Sequence, residues 1–121
     1  MPHLTIEYSS NLGTAITPAL LRTANQALLG TGQFQEADIK SRAIAFECFA
    51  VGINENPRGF VAARLEILSG RGADTKRDIA NKLLAALEAA IVADELELQI
   101  SVQIVDIDRD SYAKTLIPPK A

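Results

Sequence analysis

The sequence predicts an α/β (α+β) fold in which two β-α-β units form a four-stranded mixed sheet with two helices on one face. Three observations carry this expectation. Four segments alternate apolar and polar residues with the period of two expected of strands, and two others repeat apolar residues at helical spacing. Each helical segment lies between two of the alternating ones, so its strands must pair in parallel with a right-handed crossover. The stretch Gly52-Ile53-Asn54-Glu55-Asn56-Pro57-Arg58-Gly59, the most loop-like in the chain, divides the pattern into equivalent halves. The halves share an architecture and little residue identity. A length of 121 residues suits one domain spanning 1–121. The first unit covers about 2–51, the second about 60–107, and a patternless tail, swapped or loose, covers 108–121.

In chain order, Pro2 to Tyr8 is the first strand, with Leu4, Ile6 and Tyr8 on one side and His3, Thr5 and Glu7 on the other. Ser9 to Gly13 supplies turn residues. Thr17-Pro18 reads as a helix start, a threonine cap followed by proline at the first helical position. Leu20, Leu21, Ala24, Ala27 and Leu28 form one helical face, and Gly30 and Gly32 are stop signals. The second strand is expected from about Ile39 to Val51, with Lys40 and Arg42 on one face. The third runs from about Phe60 to Leu68. Its apolar face is Val61, Ala63, Leu65 and Ile67, and Arg64 and Glu66 point the other way. After the Ser69-Gly70-Arg71-Gly72 turn, Asp74 or Thr75 is expected to cap a helix to about Asp94, with Thr75 and Asp78 spaced as a capping box. Ala80, Leu83, Leu84, Leu87 and Ile91 form its core stripe, and Glu97 to Ile107 is the fourth strand. With both helices on one face, the other stays open. It presents Phe60, Ala62 and Leu68 beside Arg64 and Glu66, a half-apolar surface suited to burial against copies of the same chain.

Composition narrows the function. A formal net charge of −3 and the lack of a basic stripe argue against nucleic-acid binding. No apolar run is long enough for a membrane span and no secretion signal is visible, so a cytoplasmic protein is expected. One histidine, His3, and one cysteine, Cys48, make a zinc site or an internal disulfide implausible. Between Phe46 and Phe49, Cys48 reads as a buried, inert thiol, and Glu7 and Arg64 read as an ion pair across strands.

The residue with the most chemical potential is Pro2. A small second residue favours removal of Met1, which would leave a secondary amine on a rigid ring. A terminal amine ionises near pH ~7.7–8.0, well below a lysine, and burial or neighbouring cations lower that value further. Such a group is a base poised near working pH. Proline is also simply tolerated as the first residue of a strand.

The opening Pro2-His3-Leu4-Thr5-Ile6-Glu7-Tyr8-Ser9-Ser10-Asn11 resembles the N-terminus of 5-carboxymethyl-2-hydroxymuconate delta-isomerases, a branch of the tautomerase superfamily. Ile39-Lys40-Ser41-Arg42-Ala43 and Gly70-Arg71-Gly72 agree in place, and the resemblance runs from Met1 to at least Ile107. It implies a homotrimer with active sites near subunit boundaries. It also implies a proton shift on a carboxylated muconate-type dienol of homoprotocatechuate breakdown, without metal, nucleotide or flavin. Pro2 would be the general base. The substrate-binding arginines implied by the resemblance fall on Arg71, which matches, and on Lys40, where arginine is expected. An ammonium cannot copy the two-pronged grip of a guanidinium on a carboxylate. Arg42, two residues along the same strand face, is therefore a rival for that contact. A dehalogenase- or decarboxylase-like activity and a non-catalytic trimeric binding protein are the alternatives. For Arg71, Lys40 and Arg42 the plain readings are a solvated loop charge and edge-protecting charges.

Overall fold

The computed structural model describes residues 1–120. Strand β1 (His3–Ser9) leads through a 3-10 segment (Ser10–Ala15) into helix α1 (Pro18–Gly30), and a 3-10 turn (Glu36–Asp38) leads into β2 (Lys40–Phe46). A loop then reaches β3 (Arg58–Leu68), helix α2 (Ala73–Ala90), β4 (Glu97–Ile107) and a last 3-10 turn (Arg109–Ser111). The strands form one sheet in the order β2-β1-β3-β4. β1 and β2 are parallel, as are β3 and β4, and the two units join through the antiparallel β1–β3 pair. This is the mixed sheet the crossover argument requires.

The alternation in β1 and β3 sets the core. Leu4 and Ile6 of β1 and Val61, Ala63, Leu65 and Ile67 of β3 are buried. They form one cluster with Leu20, Ala24 and Leu28 of α1 and Ile79, Leu83 and Leu87 of α2. Each fully buried leucine or isoleucine contributes on the order of 1.5–3 kcal/mol from removal of its surface from water. Leu98, Ile100, Val102 and Ile104 are only partly buried against this cluster, because β4 is an edge strand. On the opposite face Ile44 and Phe46 are exposed.

The structure departs from the sequence expectations at four points. β2 ends at Phe46 rather than near Val51, because its only partner, β1, turns into the 3-10 segment after the Ser9–Phe46 pair. Cys48 consequently lies in the loop and is exposed, not buried. Helix α2 is capped by the extended Gly72, with no side-chain bond, and ends at Ala90 rather than near Asp94. Asp74 lies inside its first turn and pairs with Arg77 at 2.9 Å, so the expected capping box does not form. Finally, Glu7 stands opposite Ala62 and Arg64 opposite Thr5, a two-residue offset, and no ion pair joins them among the described residues.

Candidate active site

The topology gathers four chain segments at one end of the sheet. Because β1 runs parallel to β2 and antiparallel to β3, the starts of β1 and β2 lie beside the ends of β3 and β4. His3 pairs with Lys40 on one side and Glu66 on the other, and the Lys40 amide donates to the Pro2 carbonyl at 3.1 Å. Pro2 is buried directly behind Met1. At this end lies a cavity of about 280 Å³, lined by Met1, Asp38, Arg71, Arg109, Tyr112 and Lys114 together with Phe34 and both flanking glutamines.

Arg71 is held from three sides. Its Nε donates to Gln33 Oε1 at 3.1 Å, Nη2 to the Gln33 carbonyl at 3.0 Å and Nη1 to the Leu68 carbonyl at 3.4 Å. The guanidinium also lies over the Phe34 ring, 4.9 Å from its centroid, where the ring face attracts a cation. The turn that delivers it depends on Gly70, whose φ of +122° is a conformation open in practice to glycine alone. Lys40 extends toward the same end, its Nζ donating to the Asp38 carbonyl, while the Asp38 carboxylate accepts from Lys114 Nζ at 2.7 Å.

These charges act on the terminal amine. Burial first, then the charge and hydrogen bonding of Lys40, then the charge of Lys114 push the Met1 amine below its ordinary range, with Asp38 opposing them. Lys114 holds the Asp38 carboxyl below its usual range by hydrogen bonding, and the same contact raises Lys114.

Arg42 goes elsewhere. It projects from the open face of the sheet, its Nη2 2.7 Å from His3 Nδ1 and its Nε 3.4 Å from Thr5 Oγ1. The structure thus brings Pro2, Lys40 and Arg71 to one end and ties Arg42 to the strand face beside it. His3 is half-buried and bonded to Arg42. Four further groups at the cavity were not singled out from the sequence: Asp38, Arg109, Tyr112 and Lys114. Three of them lie on the tail, where apolar periodicity has ended. The available signal was the run Asp108-Arg109-Asp110-Ser111, a capped turn that follows the last strand and carries a cation. Among the described residues, no three His, Cys, Asp or Glu side chains are grouped so that they could hold a metal.

The sequence matches the profile of the 5-carboxymethyl-2-hydroxymuconate isomerase family over residues 2–118. The chain belongs to that family. It is accordingly an isomerase of the tautomerase superfamily. A 5-carboxymethyl-2-hydroxymuconate isomerase from Deinococcus radiodurans R1 has a similar solved structure, with 30% identity over 94% of this chain and 88% of that one and a TM-score of 0.84. A 5-carboxymethyl-2-hydroxymuconate delta-isomerase shares the fold at 22% identity, 96% and 88% coverage and a TM-score of 0.82. A fused 4-OT described as a symmetric trimer shares it at 16% identity, 93% and 90% coverage and a TM-score of 0.71. No curated protein matches. The family match extends past β4 into the tail, so the tail residues at the cavity belong to the isomerase-family region of the chain. Among the described residues, no helix of this isomerase is long and apolar enough to cross a membrane.

Proposed function

We propose that the protein catalyses a cofactor-free proton shift on a carboxylated 2-hydroxymuconate-type dienol, with Pro2 as general base after removal of Met1. The observation that carries this reading is the burial of Pro2 directly behind Met1, which itself lines the cavity shared by Arg71 and Lys114. In a chain that keeps Met1, the Pro2 nitrogen belongs to an amide and has no basic lone pair. Removal of Met1 converts it to a secondary amine in the surroundings that already depress the Met1 amine. A neutral amine at working pH follows.

The step needs no redox partner. Pro2 takes the proton of the 2-hydroxyl, breaking its O–H bond, and the electron pair left behind delocalises over that oxygen and the conjugated carbons as a dienolate. The prolinium then delivers the proton to a carbon of that system, forming a C–H bond and a ketone and completing the keto-enol shift. Taken instead from the carbon beside that ketone and returned to a different carbon, the proton completes a 1,3-allylic shift. Cations facing the developing oxyanion supply the larger part of the stabilisation, because they are fixed before charge develops. Arg71 suits this role, being locked against Gln33, Leu68 and Phe34. Lys40, next to the start of β1, takes the position where the family places an arginine, and Arg42 serves the strand face.

We further propose that three copies assemble through the open sheet face, in one domain spanning 1–121. The exposure of Ile44 and Phe46 on that face supports this, because burying them removes apolar surface from water.

The test is an ultraviolet assay of dienol ketonisation on two preparations of verified N-terminus, one beginning at Pro2 and one retaining Met1. Turnover is expected only from the first. Equal rates from both would remove Pro2 from the mechanism.

A further inference from the structure

The cavity is more cationic than the Pro2 chemistry requires. Arg71, Arg109 and Lys114 face it against a single carboxylate, Asp38, in a chain whose formal net charge is −3. Two of these cations come from the tail, and local structure fixes how they are presented. Asp108 caps the last turn, its Oδ1 accepting from the Asp110 amide at 3.2 Å and its Oδ2 from Ser111 Oγ at 3.1 Å. This bends the chain back over the end of the sheet. Arg109 Nε then donates to the Ser69 carbonyl, which sets the guanidinium against the β3–α2 turn beside Gly70. Among the described residues its two Nη groups donate to nothing, leaving a planar fork turned to the cavity. Arg71 is differently placed, since all three of its nitrogens already donate to Gln33 or Leu68. Lys114 pairs with Asp38, but both side chains are more than a third exposed, and a pair in that setting is readily exchanged for a ligand anion.

The proposed substrate class gives these extra cations a purpose. A 2-hydroxymuconate carries two carboxylates, and a carboxymethyl substituent adds a third. Resting on the function proposed above, we infer that Arg109 and Lys114 form a subsite for this third carboxylate, so that the tail sets the preference for tricarboxylate over dicarboxylate dienols. A guanidinium fork and a carboxylate match in plane and spacing, and a neighbouring ammonium adds a point charge without a geometric demand. Lys114 would exchange Asp38 for the substrate oxygen, and Asp38 would keep the empty subsite from holding bare positive charge.

The test compares Arg109→Ala and Lys114→Met with the unaltered enzyme, all beginning at Pro2, on a carboxymethylated 2-hydroxymuconate and on 2-hydroxymuconate itself. The ratio of kcat/KM for the tricarboxylate to that for the dicarboxylate is expected to fall about 10- to 100-fold in Arg109→Ala, through KM. A smaller fall is expected in Lys114→Met. A tail that merely braces the fold would lower both substrates together and leave the ratio unchanged, which would overturn the subsite. Should the unaltered enzyme turn over neither dienol, the proposed function fails and the subsite is still tested by calorimetry. The probes are then propane-1,2,3-tricarboxylate and glutarate. A preference for the tricarboxylate that disappears in Arg109→Ala supports the subsite, and its absence, or its persistence in the variant, excludes it.

Discussion

The two ends of the sheet are built from equivalent parts and treat charge in opposite ways. At the end where β3 and β4 begin, the larger cavity, about 360 Å³, is lined by Asn11, the 49–57 loop and Arg58. Its single cation is paired with a carboxylate: Arg58 Nε lies 3.3 Å from Glu97 Oε2, and Nη1 donates to the Val51 carbonyl at 3.4 Å. Asn11 Nδ2 binds the Arg58 carbonyl at 2.8 Å, and Ser9 Oγ accepts from the Phe60 amide at 3.0 Å. Polar groups there close the fold. At the other end, the β3–α2 connection is only the turn from Ser69 to Gly72, and the groups it presents outnumber their internal partners. Size alone would select the far cavity. What distinguishes the smaller one is its three cations, Arg71, Arg109 and Lys114, against one carboxylate, Asp38, next to the residue proposed as the base.

The comparison is broken most severely at Pro2. Pro2→Ala leaves a primary amine of different basicity on a flexible residue. A lost general base typically lowers turnover by about 10²–10⁴-fold. The expected outcome is a fall of that order in kcat with KM little changed, read in the ultraviolet assay. A rate equal to that of the unaltered enzyme would assign the base elsewhere.

Arg71→Ala comes next. Loss of a hydrogen bond to a charged group costs about 1.5–3 kcal/mol, which corresponds to about a 10- to 100-fold rise in KM. Circular dichroism separates this from unfolding, since the same change also removes the bonds to Gln33 and Leu68. If KM does not move, Arg71 only fastens the turn to the segment before β2.

The counterpart at the other end is Arg58→Ala. It removes a partly exposed ion pair with Glu97, a contact worth at most about 1 kcal/mol, together with the bond to Val51. Urea denaturation should show that modest loss while KM stays where it was. A raised KM would mean that the far cavity also handles substrate, and the contrast between the ends would collapse.

How much of this was legible in the sequence follows from where periodicity reaches. Leu4, Ile6, Leu65 and Ile67 are spaced by the pleat and Leu20, Ala24 and Leu28 by the helical turn, so strands, helices and their order could be read directly. The Thr17-Pro18 start of α1 was equally local: Thr17 Oγ1 accepts from the Leu20 amide at 3.2 Å. Gly72 at the start of α2 offers no side-chain bond, and Asp74 and Thr75 were the residues that looked like caps. Cys48 was misplaced because neighbouring phenylalanines suggest burial only if the strand continues, and its end was decided by β1. In the site, Pro2, Lys40 and Arg71 were reachable through the family resemblance. Arg109, Tyr112 and Lys114 were not, since a tail with no repeat is placed by tertiary contacts such as Arg109 to Ser69 and Lys114 to Asp38.

The smallest expected effect concerns His3, whose ring borders the site on the strand face. Burial, then the charges of Arg42 and Lys40 and that of the terminal amine, lower its pKa, and Glu66 on β3 opposes them. The unfolded chain therefore takes up the His3 proton at higher pH than the folded chain does. As pH falls through about 6.5, the unfolded state gains protons first and stability declines, levelling off once the folded value is passed. Above that window His3 contributes nothing to the pH dependence. Asp38 cannot produce the same decline, because its lowered pKa confines its loss of stability to pH below the ordinary carboxylate range, near 4. Thermal unfolding of the unaltered protein and of His3→Asn between about pH 2.5 and pH 8 separates the two groups. The decline near pH 6.5 should disappear in His3→Asn and the acidic one persist. If the variant keeps the upper decline, the Arg42–His3 contact is not what couples this edge of the sheet to pH.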